Sequence, residues 1–181
     1  MLNREQTALL VIDIQDILMP KAEAVVKNYL HQAERVVRMA RILDLPILVT
    51  EQNPERLGST NAGILDALGQ TERMPKMEFG CLANDAFRRA LQDTERKQLL
   101  IVGMETHVCV LQTGLDALAQ GYEVYLVKDA IVSSRKYEYK AGLARLQQAG
   151  AHCATAEMAI FELLRKAGTS EFKQLLPVIK G

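Results

Sequence analysis

The stretch QLLIVGMETHVCV, residues 98–110, decides how this chain is read. Leu99 to Val102 is an apolar run too short for a helix, rich in β-branching and stopped by Gly103, which predicts a strand buried on both faces. Past the glycine, Thr106 has the chemistry of an N-cap, and Leu111, Leu115 and Leu118 continue at helical spacing. Cys109 then falls in the first helical turn, where unpaired N–H groups and the positive end of the dipole favour a thiolate. Two readings of Cys109 stand side by side: a nucleophile delivered by a strand–turn–helix junction, or a small buried apolar residue like most free cysteines.

Outward from this stretch the same alternation repeats. Ala8 to Ile14 is a first buried strand carrying Asp13 near its C-terminal end, followed by a helical pattern from Ala22 to Leu43. Pro46 opens a second strand ending at Thr50, and residues 51–69 are irregular and polar, a loop long enough to serve function. Met74 to Phe79 is a short strand holding Lys76, and Ala83 to Leu91 a helix. Beyond the cysteine helix come a strand over Glu123 to Lys128, a helix over Tyr137 to Ala149, a strand over His152 to Ala156 and a helix over Glu157 to Lys166. A tail after Gly168 carries one more short helix ended by Pro177. Apolar strands alternating with helices predict an α/β fold with a parallel sheet and helices on both faces, a Rossmann-like three-layer arrangement, in one domain spanning 1–181.

Composition bounds the function classes. With 22 basic and 22 acidic residues and 5% aromatics, the chain has neither the charge nor the stacking surface expected of a nucleic-acid binder. No apolar run approaches a membrane span, and the first one carries Asp13, unlike a signal peptide. Three cysteines at 81, 109 and 153, without framework spacing, point to a reducing, cytoplasmic setting. No glycine fingerprint for a dinucleotide follows the first strand, and the three scattered histidines are not a metal set.

Ligands of open parallel sheets bind outside the carboxyl ends of the strands. Asp13, Lys76 and Cys109 are all expected there, so a carboxylate, an ammonium and a thiol converge on one crevice. Such a trio suits acyl transfer to water: a thiol nucleophile, a general base, and a positive charge near the sulfur. His107 lies two positions from Cys109, off its helical face, and reads as a rim or packing residue.

These residues resemble a known family. VIDIQD around Asp13, PKMEF around Lys76 and GMETHVCV around Cys109 look like the signatures of isochorismatase-like cysteine hydrolases, in the same order along the whole chain. VTEQNPERLGST and the DAIVSSR segment are similar to the branch of isochorismatase domain-containing proteins, hydrolases mostly without assigned substrates. The resemblance implies a six-stranded sheet of order 3-2-1-4-5-6 and an Asp13–Lys76–Cys109 triad. It implies a cis peptide between Met104 and Glu105, with the N–H groups of Glu105 and Cys109 receiving an oxyanion. It further implies a homo-oligomer; the tail has either its own domain or a neighbouring subunit to dock on, and the resemblance favours the subunit. The metal ligands of the nicotinamidase branch are absent, since Thr50, Glu51, Gln52 and Asn53 stand there, so no metal or cofactor is expected. Gln15, Glu51, Gln52, Phe79 and His107 are the expected contacts of a small-molecule substrate, a small amide or related carbonyl compound. A catalytically silent binding protein and a redox-active thiol protein are the alternatives of other classes.

Overall fold

Four apolar runs become strands that bury both faces along most of their length, and two short, more exposed segments pair at the edges of the same sheet. The computed structural model describes residues 1–180. The strands are β1 (Thr7–Ile12), β2 (Ile47–Gln52), β3 (Arg73–Lys76), β4 (Gln98–Met104), β5 (Glu123–Val132) and β6 (His152–Ala154). They form one parallel sheet in the order β3-β2-β1-β4-β5-β6, as expected. The helices are α1 (Glu23–Ile42), α2 (Pro54–Leu57), α3 (Ala62–Leu68), α4 (Asp85–Asp93), α5 (Cys109–Ala119), α6 (Lys136–Gln148), α7 (Ala156–Leu164) and α8 (Ser170–Lys180). Side chains alternate between two cores, the period-2 geometry of a strand. Leu9, Val11, Leu100 and Val102 face α1 and α7, while Leu10, Ile12, Leu99 and Ile101 face the layer of α4 and α5.

Four local expectations change. The polar segment 51–69 contains α2 and α3, too short to show periodicity; Asn61 caps α3 by accepting from the N–H groups of Gly63 and Ile64. β5 runs on past Lys128 and Asp129, because its pairing with β4 is irregular between Ile101 and Gly103 and then resumes at Ile131 and Val132. Those two polar residues mark an irregularity in the pairing rather than a strand end. Pro177 lies inside α8 instead of ending it. Finally, α8 docks on its own chain: Leu175 is fully buried, Val178 and Ile179 pack on the α1 core, and Arg35 donates to the carbonyls of both.

Gly103 is where the fold and the site meet. It has φ +129, and a Cβ built there would stand 2.1 Å from the carbonyl oxygen of Ile12, the residue before Asp13. Gly103→Ala is therefore expected to cost at least about 3 kcal/mol, combining conformational strain with displaced strand pairing. Gly150→Ala, strained at φ +108 but with open space around it, is the control and should lose less. Urea midpoints of the two variants measure the difference.

Candidate active site

The β1–β2 register places Ile12 opposite Thr50, and the chain leaves β1 immediately afterwards. Asp13 takes φ +50, a left-handed conformation that Asp tolerates better than most residues, so the turn sits at the lip of the sheet. Its carboxylate is fully buried and accepts from Thr50 Oγ1 at 2.8 Å and from Lys76 Nζ at 2.7 Å. Lys76 is the last residue of β3, paired in register with Gln52 at the end of β2. Its ammonium also reaches Gln52 Oε1 at 2.6 Å, the Glu78 and Phe79 carbonyls at 3.1 and 3.3 Å, and Cys109 Sγ at 3.7 Å. An ammonium has three protons, so five acceptors around it hold it charged. Burial pulls Lys76 down, but Asp13, with the two nearby sulfurs, outweighs that and leaves it raised.

Cys109 opens α5 as its first helical residue, not its third, and Thr106 is not the cap. The Glu105 carbonyl takes the N–H groups of Val108 and Val110, so residues 105–108 are a turn that feeds the helix. Thr106 points inward, its hydroxyl buried and without a partner among the described residues. The peptide between Met104 and Glu105 is cis. Among the described residues the N–H groups of Glu105, His107 and Cys109 have no acceptor, whereas the N–H of Thr106 is taken by Val132.

The thiolate expected from the helix start is overturned. Burial, then the charge of Asp13, push the Cys109 thiol up to about 12, against the opposing pull of Lys76. The reason is charge balance: Asp13 and Lys76 already cancel, so a thiolate would leave the buried site with a net negative charge. Cys81 stands beside the same group. Its sulfur lies 3.8 Å from Thr50 Oγ1, its N–H donates to Thr113 Oγ1 on α5, and burial raises it to about 11.

The five expected substrate contacts divide. Gln15 faces inward: its amide donates to the Gln52 and Gly58 carbonyls and accepts from the Gln52 N–H, which staples the segment after β1 to the one after β2. Glu51 also faces inward, accepting from the Thr60 N–H and hydroxyl with Arg73 at 3.5 Å. Gln15 has both its amide nitrogen and its oxygen committed to the loop, whereas all of the bonds of Glu51 are made by Oε1. Gln52 belongs to the triad cluster, its oxygen on Lys76 and 4.0 Å from Cys109 Sγ, its nitrogen on the Met77 carbonyl. Phe79 is 54% exposed at the rim. His107 shares a hydrogen bond with Ser133 Oγ at 3.0 Å. Thr50 was missed, although its register position beside Ile12 was available once the strands were paired.

Two clefts lie elsewhere, one of about 600 Å³ between α1 and α8 and one of about 450 Å³ beside α7. Neither is lined by Asp13, Lys76 or Cys109, and Cys109 is 6% exposed. Among the described residues no cluster of three or more His, Cys, Asp or Glu side chains is placed to hold a metal ion, and no helix is long and apolar enough to cross a membrane.

This fold, with acid, amine and thiol meeting at the carboxyl lip of β1, β3 and β4, defines an isochorismatase-type α/β protein. The chain belongs to the isochorismatase family: the model of the isochorismatase domain matches residues 7–158. Among its relatives, the secreted isochorismatase effector Isc1 of Phytophthora sojae is 37% identical over 96% of this chain and 84% of its own length. Mouse isochorismatase domain-containing protein 2A is 35% identical over 97% and 84%. A solved structure described as the MAR1 ribonuclease of Caenorhabditis elegans superposes with a TM-score of 0.89 at 29% identity, covering 99% of this chain and 92% of that one.

Proposed function

We propose that the chain is a metal-independent cysteine hydrolase of a small amide or related carbonyl compound. The observation that carries this is Lys76 Nζ standing 2.7 Å from the Asp13 carboxylate and 3.7 Å from the Cys109 sulfur in one buried cluster. Cys109 Sγ attacks the carbonyl carbon as its proton passes to Asp13, so the sulfur never carries a free charge beside an ionised Asp13. During attack the Lys76 ammonium balances the sulfur, and the N–H groups of Glu105 and Cys109 hold the oxyanion. Asp13 returns the proton to the leaving nitrogen, the C–N bond breaks, and a thioester remains on Cys109. A water, deprotonated by Asp13, attacks that thioester; the acid leaves and the thiol regains its proton.

The equal counts of 22 basic and 22 acidic residues match a small neutral substrate better than RNA, the substrate implied by the C. elegans protein's name. A homo-oligomer in the cytoplasm is part of the same reading, although the P. sojae relative is named as secreted.

The test is mass spectrometry of the intact protein against a panel of small amides. An acyl adduct on Cys109 that decays with release of acid, and is absent in Cys109→Ala, is the expected outcome. Turnover that persists in Cys109→Ala would refute the thioester route.

A further inference from the structure

The turn that presents the N–H groups of Glu105 and Cys109 is held from three sides, and the mechanism above uses none of the side chains that hold it. Glu105 Oε1 accepts from the Ser134 N–H at 2.8 Å. His107 Nδ1 and the buried Ser133 Oγ are 3.0 Å apart, and His107 Nε2 lies 3.9 Å from Glu105 Oε2. The intervening Thr106 N–H donates to the Val132 carbonyl at 2.9 Å. Three successive residues of the turn are thus bonded to three successive residues at the end of β5. On the third side is α6, where a Cβ at Gly142 would stand 2.8 Å from the Thr106 carbonyl oxygen and 2.9 Å from His107 Cα. Backbone rests on backbone there, so the turn cannot retreat from the site. Glu105 spends its carbonyl on the start of α5 and its Oε1 on Ser134, and its N–H has no acceptor among the described residues.

We infer that Glu105, His107 and Ser133 are positioning residues: a clasp between the β4–α5 turn and the β5–α6 junction that sets where the oxyanion is received. The inference rests on the proposed acyl transfer at Cys109. Its physical basis is the steep dependence of catalysis on donor placement. Removal of one oxyanion donor costs roughly 10²–10³ in rate, and a shift of about 1 Å costs about 10².

Two reagents separate the clasp from a general structural role. Acylation of Cys109 by p-nitrophenyl acetate passes through a tetrahedral oxyanion, whereas alkylation by iodoacetamide displaces iodide and forms none. In Glu105→Ala, which frees the Ser134 N–H and the facing edge of His107, acylation is expected to fall about 10- to 100-fold with alkylation within about twofold. Ser133→Ala should show the same split more weakly. Glu105→Gln keeps an oxygen for the Ser134 N–H and should restore most of the acylation rate. Equal acylation in Glu105→Ala and the parent, or acylation and alkylation falling together, would overturn the clasp while leaving the hydrolase reading intact. A parent protein that alkylates at Cys109 but is never acylated would instead sink the hydrolase reading, and the clasp with it.

Discussion

Asp13→Asn is expected to push two reactions of the same sulfur in opposite directions. Hydrolysis should fall by roughly 10²–10⁴, the usual worth of a positioned general base. Alkylation of Cys109 by iodoacetamide near neutral pH should accelerate. After burial, the Asp13 charge is the main influence raising the thiol, to about 12, and Lys76 opposes it. With the carboxylate gone the ammonium acts alone on the sulfur, so the thiol comes down and the thiolate fraction at neutral pH rises. In the parent, alkylation should climb through the alkaline range without a plateau near neutrality; in the variant the climb should begin at lower pH. A carboxylate that merely filled space would produce neither change. Peptide mapping of the alkylated site separates Cys109 from Cys81 and Cys153. Hydrolysis undiminished in Asp13→Asn is the result that would remove Asp13 from the role of base, and slower alkylation would overturn the charge argument for the raised thiol.

Lys76→Met carries the largest expected effect on stability. The side chains of Lys76 and Asp13 are almost wholly inaccessible, and their bond is 2.7 Å long. Removing the ammonium strands a buried carboxylate and deprives Gln52 Oε1 and the Glu78 and Phe79 carbonyls of a donor. Breaking such a pair from one side costs about 3–5 kcal/mol. Asp13→Asn/Lys76→Met should recover part of this, because no unpaired charge remains, and the double-mutant cycle gives the coupling. The sign of the pH dependence follows from the raised Lys76. Its contribution is complete below the ordinary lysine value of 10.5 and is lost as pH climbs through the higher folded value. The gap between parent and Lys76→Met in urea midpoint should therefore be constant through neutrality and close above pH 10.5. A gap that stays open far into the alkaline range would mean the pair is held by something other than the ammonium's charge.

Local pattern was enough for the architecture. Runs such as Leu99–Val102 have apolar residues at every position, and only a sheet covered on both faces can bury them all. Parallel strands place their carboxyl ends together, so Asp13, Lys76 and Cys109 were bound to meet at one lip once the strands were recognised. Other features depended on partners far away in the chain. Gln15 looks like a ligand contact until Gln52 and Gly58 claim its amide, and Glu51 turns its Oε1 to Thr60, across a loop whose path no spacing rule predicts. Thr106 reads as a cap, yet Val132 takes its N–H and the helix begins at Cys109. The protonation of that cysteine was the furthest from reach. A helix start favours a thiolate, but burial beside an already neutralised ion pair reverses the balance. Desolvation and charge pairing are properties of a closed three-dimensional environment, and a run of residue letters carries no measure of either.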